Sequence, residues 1–545
     1  MALNTSLWWQ DGIIYQIYPR SFKDSNGDGI GDLQGIISQL AYLHWLGVDA
    51  LWLSPFYPSP MVDFGYDVSN YTDVDPIFGD MATFDELVQQ AHKYGIKVII
   101  DYVINHSSDQ HPWFLESRSS RSAPRRDWYI WVDPRPDGSV PNNWVSLFGG
   151  SAWEWDAATE QYYLHSFDRR QPDLNWRNPE VQVAMFDVLR FWLEHGVDGF
   201  RIDAAHMIMK DPQLRDNPPN LTGARVSLKP LGSEYDSQHH LYDKEHPDGH
   251  DVYRALRRLL DSYSSEQPRV ALGEMHILDW KAWASYYGAN LDEMHMPFNF
   301  SLLNTVWNAQ AIRQAVDTLE AVLVPGAWPN NVLGNHDEPR IVSRLGPAQA
   351  RIAIMLLLTL RGTPTLYYGD ELGMHDGEIP PERVYDPVEK NNPGLGLGRD
   401  PERTPMQWDA SPNAGFCPPD TEPWLPIPAD YQQINVAVER EDPHSQLSLT
   451  RRLIALRRST PALTTGSYHP IEGGPDDCFV YLRQSSDQRY LIAMNFSSHE
   501  QSVKLSEMGN GRIVLSTYLD REEPIDLALL HLRSDEGCVI ELADL

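Results

Sequence analysis

Cysteine is scarce in this 545-residue chain: Cys417, Cys478 and Cys538 lie far apart, without the paired spacing of a disulfide framework or a zinc site. A reducing compartment, the cytoplasm, is therefore the expected location. Positive charge is also in deficit, with 44 Lys and Arg against 76 Asp and Glu and a formal charge of −32. Such a field repels polyanions, so neither nucleic acid nor an anionic membrane is expected as a partner. The local exception, RSSRSAPRR at 118–126, reads as a solvated loop. Long apolar runs are missing too. The longest, IAIMLLLTL at 352–360, stops at Arg361, well short of the roughly 20 residues that span a bilayer. The start, MALNTSLWWQDG, lacks the basic and apolar regions of a leader, so none is expected.

What the chain does have is a repeated alternation. Leu33, Ile36, Ile37, Leu40, Leu43 and Leu46 follow helical spacing to a stop at Gly47, and VDALWLSP then reads as a buried strand. A capping-box pattern at Thr83 and Glu86 opens the next helix, Gly95 closes it, and IKVIIDYV follows as a strand. Asn178 as N-cap with Pro179 at the first helical position opens a third unit that yields VDGFRID. A fourth runs from DVYRALRRLLDSYSSEQP into RVALGE, and WPNNVLGNHD and GTPTLYYGDE read as further strands. Short apolar strands between helices imply a parallel sheet covered by helices.

A doubly wound sheet and a closed barrel both fit that alternation. The polar residues discriminate: Asp101, Asp203, Glu274 and Asp337 each fall at the C-terminal end of a strand, where a barrel gathers its active site, and no glycine-rich phosphate fingerprint follows GIIYQIYP. The expected fold is α/β, a (β/α)8 TIM barrel formed by 1–104 and 179–460. Residues 105–178, rich in Trp, Tyr and Gly, form an inserted domain after the third strand. Alternating strands such as CFVYLRQ and RYLIAMNF make 461–545 a C-terminal antiparallel β-domain.

DSNGDGIGDLQGI, from Asp24 to Ile36, spaces oxygen ligands at every second residue: Asp24, Asn26, Asp28, the carbonyl of Ile30, and Asp32. That spacing suits a hard cation, and Gly29 sits where a calcium loop turns sharply, although Gly35 stands in place of the bidentate Glu of an EF-hand. A solvated Asp/Gly turn is the alternative.

Two carboxyl groups on a barrel rim can cleave a glycosidic bond, one as acid and the other as base or nucleophile, if their environments keep one protonated and the other ionised. Arg201 lies two residues before Asp203, on the same side of the strand, and is expected to hold Asp203 ionised. Gly273 and apolar neighbours before Glu274 are expected to raise its pKa. Each carboxylate alone also fits a buried structural pair; four together at strand ends favour a site.

The segments DYVINH (101–106), GFRIDAAH (199–206), GEMH (273–276) and NHDEPR (335–340) resemble, in order and spacing, the four sequence regions of the α-amylase family, glycoside hydrolase family 13. QPDLN (171–175) and RTPMQWD (403–409) are similar to signatures of its oligo-1,6-glucosidase subfamily. The resemblance implies Asp203 as nucleophile, Glu274 as acid/base and Asp337 as the third carboxylate. It places Asp63, Tyr66, His106, Arg201, His336 and Arg403 around the terminal glucose, with Asp63 and Arg403 closing the pocket so that cleavage proceeds from the non-reducing end. Ala204, after the nucleophile, resembles the α-1,4 group, since members that cut α-1,6 bonds tend to carry Val there. Phe148 and Phe167 look like aromatic neighbours of the acceptor site, or packing within the inserted domain's own core. The Asp24 loop matches a structural calcium or magnesium site. No organic cofactor is implied.

The expected activity is that of a retaining α-glucosidase acting on short α-1,4-glucosides such as maltose, with transfer to acceptor hydroxyls. Oligo-1,6-glucosidase, trehalose synthase and sucrose isomerase are the enzymatic alternatives, and an inactive, transporter-associated barrel relative is the non-enzymatic one. The expected partners are small-molecule glucosides and hydroxyl acceptors, with the chain a monomer or homodimer.

Overall fold

Eight parallel strands close into a barrel in simple chain order in the computed structural model, which describes residues 6–227, 232–265, 267–472 and 474–543. The strands are β1 (Ile14–Ile17), β2 (Ala50–Leu53), β3 (Lys97–Val103), β4 (Gly199–Asp203), β5 (Val270–Gly273), β6 (Met296–Asn299), β7 (Asn330–Val332) and β8 (Thr363–Tyr367). All but Lys97 are buried along their length, which is why they read as apolar runs rather than as alternating patterns. Register sets the rim. Asp101 pairs with Arg201 and Val103 with Asp203 across β3 and β4, and Ile202 pairs with Gly273 across β4 and β5, so Asp101, Asp203 and Glu274 emerge side by side.

Three local expectations change. The apolar stripe from Leu33 is two helices, Leu33–Ser38 and Leu40–Leu46, parted at Gln39. Ser38 Oγ donates back to the Gly35 carbonyl at 2.6 Å, a bond that competes with the helix ladder. The helix Met81–Lys93 starts earlier than the Thr83 box implies, because the Asp80 carboxylate accepts both the Thr83 N–H and its hydroxyl at 2.8 Å. Strand β6 was not anticipated: MPFN contains a proline, and the helix before it, Trp280–Ser285, has only six residues.

Between β3 and the helix Pro179–Glu194, a three-stranded antiparallel sheet (Trp131–Val132, Gln161–Leu164, Trp153–Asp156) packs around Trp144, Trp153 and Leu164. Its two ends are tied together where they leave the barrel, since the Leu174 N–H donates to the Asn105 carbonyl at 2.9 Å and His106 bridges to Asp173. The first five residues of the N-terminal segment lie outside the described residues.

The C-terminal part is a six-stranded antiparallel sheet with a separate two-stranded ribbon. Ile341–Thr359 is the one described helix long and apolar enough to cross a membrane, yet it breaks at Gly346 (φ 77°) and packs between the helix Gln446–Ser459 and the C-terminal sheet strands Arg489–Asn495 and Gly537–Leu542. Burial at that seam accounts for its apolarity. Arg457 and Arg483 close it by donating to carbonyls at the helix end, Arg457 to Leu358 and Leu360 and Arg483 to Thr359.

Candidate active site

The centre of the rim is one guanidinium. Arg201 Nη1 donates to Asp101 Oδ1 at 2.6 Å and to Asp203 Oδ1 at 2.7 Å, while Nη2 lies 2.9 Å from Glu274 Oε2. Strand alternation places Arg201 and Asp203 on one face, and the neighbouring strands supply the other two carboxyls. After Asp203 the chain turns sharply: Ala204 is left-handed (φ 43°, ψ 39°), and its N–H donates to Glu274 Oε2 at 2.8 Å. His276 Nε2 lies 3.0 Å from Glu274 Oε1.

These contacts correct the expectation for Glu274. Burial pushes its pKa up, but Arg201 and then His276 outweigh burial and carry it below the usual carboxylate range. Its carboxyl faces a guanidinium and an imidazole, not the apolar residues that precede it in sequence. Burial raises Asp203 well above the usual range, and Arg201 opposes it in the direction expected, as the main lowering influence. Asp101 is raised to about 6 by burial against Arg201. Three carboxyls around one cation exchange protons as a set.

Asp63, Tyr66, His106, Phe148, Phe167, Asp203, Ala204, Glu274 and Asp337 line one cavity. Arg201, His336 and Arg403 lie beneath its surface. Gln16 Nε2 donates to His336 Nδ1 at 2.7 Å, which leaves Nε2 to donate to the Tyr66 hydroxyl at 2.7 Å; burial holds this imidazole neutral, with its pKa lowered to about 3. His106 is likewise lowered to about 4 by burial. Phe148 and Phe167 meet edge to face at 5.5 Å, and Phe167 also packs on His106 at 5.0 Å, so both rings serve the cavity wall.

Arg403 does not close the pocket beside Asp63. It is fully buried, donating to the His336 carbonyl and to Asp337 Oδ1, each at 2.8 Å. The residue that closes the pocket is Arg399, which reaches Asp63 at 2.7 Å, Asp337 at 3.1 Å and Asp386 at 2.7 Å. Three residues separate the two arginines in GRDPER, and Asp386, which anchors the correct one, carries no sequence signal that links it to the site. Burial pushes Asp337 up, but His336, Arg399 and Arg403 together bring it far below the usual range. Sequence reasoning also missed His206, Tyr235, Lys244 and His276 in the cavity wall; His206 and His276 end the segments GFRIDAAH and GEMH but were given no role, and Tyr235 and Lys244 belong to the long β4 loop, which bears no recognisable motif.

In the Asp24 loop the side-chain oxygens accept from the loop's own backbone. Asp24 receives the N–H groups of Asn26 (3.0 Å), Gly27 (2.6 Å) and Gly29 (2.9 Å), Asn26 that of Asp28 (2.9 Å), and Asp28 that of Ile30 (2.8 Å). Asp32 receives those of Ser25 (2.9 Å) and Gly35 (2.6 Å) and caps the following helix. Among the described residues no three His, Cys, Asp or Glu side chains converge as a metal cluster. The candidate ligand atoms of this loop are all oxygen, the chemistry a hard cation takes; Asp24 Oδ2, Asn26 Oδ1 and both Asp28 oxygens accept one bond each and keep a lone pair, whereas Asp24 Oδ1 and both Asp32 oxygens already accept two.

The sequence profile of the alpha amylase catalytic domain matches residues 16–466. A probable alpha-glucosidase of Rhizobium meliloti (strain 1021) is 42% identical over 528 residues, covering 94% of this chain and 95% of the relative. An oligo-1,6-glucosidase of Parageobacillus thermoglucosidasius is 37% identical over 98% of this chain and 99% of its own length. Among solved structures, the alpha-glucosyl transfer enzyme XgtA matches with a TM-score of 0.93 at 42% identity, covering 99% of this chain and 100% of its own. Trehalulose synthase MutB from Pseudomonas mesoacidophila MX-45 matches at 0.87 and 35% identity, covering 99% of this chain and 100% of its own.

Proposed function

The chain belongs to the α-amylase family of glycoside hydrolases, and from that premise we propose that it is a retaining, exo-acting α-glucosidase that frees α-glucose from short α-1,4-glucosides such as maltose and transfers part of it to acceptor hydroxyls. The observation that carries the exo reading is the Arg399 bridge between Asp63 and Asp337, which walls off the cavity beyond a single terminal sugar. A second observation supports retention: Asp203 and Glu274 hold the two ends of one guanidinium, close enough for one to attack the anomeric carbon while the other serves the leaving oxygen.

In this reading Asp203 bonds to the anomeric carbon, Glu274 protonates the departing oxygen, and Glu274 then takes the proton of the incoming water or acceptor as the glucosyl bond to Asp203 breaks. The working state needs the proton on Glu274, against the pull of Arg201 and His276 toward its ionised form. Because Asp101, Asp203 and Glu274 share Arg201, their protons are set jointly rather than by any one residue alone. Asp337, Asp63 and Arg399 grip the hydroxyls of the terminal glucose, and Ala204 leaves room consistent with α-1,4 preference.

For the Asp24 loop the proposal is a structural calcium or magnesium ion held by Asp24, Asn26, Asp28, the Ile30 carbonyl and Asp32. Support comes from the all-oxygen donor set and from the loop's packing on Thr421 and Trp424, which joins it to the scaffold. A cytoplasmic setting is supported by three free, buried cysteines. Incubation with maltose, isomaltose, sucrose and trehalose, with every product identified, tests the whole assignment. Glucose and glucosyl-transfer products from maltose are expected. Rearrangement of sucrose with little maltose cleavage would favour an isomerase, as in MutB, of which a variant is known in complex with the substrate sucrose.

A further inference from the structure

The cavity wall away from Asp63 and Arg399 carries a cation with no role in the chemistry above. Lys244 lines the cavity and is only 6% exposed. Among the described residues its Nζ makes no hydrogen bond; the nearest carboxylate oxygen, Glu245 Oε1, is 3.8 Å away, and the Tyr235 ring centre is 5.8 Å away. Its charge partner is thus a long pairing with the adjacent Glu245, and the ammonium, which is not fully shut off from solvent, keeps donor capacity toward the cavity.

The segment that carries Lys244 is well fixed. Tyr235 stacks on His240 at 3.6 Å, Asp243 pins that imidazole at 2.6 Å, and the Glu245 N–H donates to the His206 carbonyl at 2.7 Å. That last bond joins the segment to the turn directly after Asp203. His206 in turn packs 5.9 Å from His276, the partner of Glu274. Because Glu274 serves the leaving oxygen, the aglycone lies on this side, among His206, Met207, Tyr235 and Lys244. Burial and Lys244 itself keep His206 neutral, so among the four named residues of this wall the cation is Lys244.

We propose that Lys244 selects the acceptor, and that the enzyme glucosylates hydroxy acids, small molecules carrying a carboxylate beside the accepting hydroxyl, such as glycerate or lactate. The proposal rests on the roles assigned to Asp203 and Glu274. In the transfer step the acceptor's hydroxyl oxygen bonds to the anomeric carbon and its proton passes to Glu274. The bond from that carbon to Asp203 breaks, and Asp203 recovers its carboxylate. The acceptor's own carboxylate is unchanged and lies against Lys244 Nζ, a closer charge partner than Glu245 at 3.8 Å. A neutral sugar hydroxyl offers the ammonium only a dipole, and a cationic acceptor would be repelled.

With maltose as donor, glycerate and glycerol at equal concentration compete as acceptors, and the two glucosides are quantified in the wild type, Lys244→Met and Lys244→Arg. The expected result is a preference for glycerate of about tenfold in the wild type, lost in Lys244→Met and largely kept in Lys244→Arg. No preference in the wild type, or an equal fall for both acceptors in Lys244→Met, would overturn the proposal. Calorimetric binding of glycerate to the wild type and to Lys244→Met separates this proposal from the hydrolytic reading. Binding that the substitution abolishes supports it whether or not maltose is cleaved, and absence of binding to the wild type contradicts it. Melting temperatures of both variants exclude misfolding as the cause.

Discussion

The backbone N–H of Ala204 donates to Glu274 Oε2 at 2.8 Å, so the residue that follows one working carboxylate fixes the position of the other. Ala204 does this from a left-handed conformation, which costs an alanine about 1–2 kcal/mol, and the strain is retained where two catalytic groups must be held together.

That coupling makes Asp203→Asn an informative change. Ala204 N–H and Arg201 still hold Glu274, so the fold should persist with a melting temperature within a few degrees of the wild type. Turnover of maltose should fall by about four orders of magnitude or more, because an amide cannot form the glucosyl bond. Initial rates together with a melting curve check both halves, and a folded variant with near wild-type turnover would remove Asp203 from its role.

The pH profile follows from His276. Its hydrogen bond and its charge both favour ionised Glu274, so removing the imidazole in His276→Ala raises the Glu274 pKa. Glu274 must be protonated to serve the leaving oxygen, and the alkaline limb of kcat/KM reports the loss of that proton. The limb should therefore move to higher pH in the variant. A limb that stays in place or moves down would show that another group sets it.

Arg399 and Arg403 should separate cleanly by substitution. Arg399→Met removes the bridge that closes the pocket and leaves Asp63 and Asp337 facing the sugar with a lost cation, so kcat/KM for maltose should drop about a hundredfold, from the loss of charged hydrogen bonds worth roughly 1.5–3 kcal/mol. Arg403→Met should instead lower the melting temperature markedly, because it unpairs a fully buried guanidinium site beneath His336 and Asp337. Steady-state kinetics and thermal melts on both variants make the comparison.

Removing divalent ions with a chelator should lower the melting temperature more than it lowers activity at moderate temperature, since an ion bound only by the folded state stabilises it by mass action. Calcium or magnesium should restore the difference, and Asp28→Ala should abolish that response. An unchanged melting temperature after verified metal removal would leave the loop's own N–H bonds to Asp24, Asn26 and Asp28 as its whole stabilisation.

What could be read in the chain was whatever lies on regular, fully buried strands. Asp101, Asp203 and Glu274 stood out because each ends or directly follows an apolar run, and barrel closure then brings them around Arg201 without further information. Strand β6 was hidden by its proline and by the short helix before it. Arg399 could not be separated from Arg403 because their fates are decided by Asp63 and Asp386, partners 336 and 13 residues away. The environment of Glu274 was misjudged for a related reason: its sequence neighbours are apolar, but the groups its oxygens meet are Arg201 on the next strand, the Ala204 N–H and His276. Lys244 sits in a loop without periodicity, where only the three-dimensional path reveals that it faces the cavity.

The stereochemistry of the first product tests the central claim most directly. If Asp203 forms a glucosyl bond and Glu274 assists, the carboxyls act as a pair about 5–5.5 Å apart in a double displacement, and the anomeric configuration is kept. Proton NMR during the first minutes of maltose cleavage should show newly released α-glucose, with the β-anomer growing only at the rate of mutarotation. Newly released β-glucose appearing faster than mutarotation allows would contradict the account.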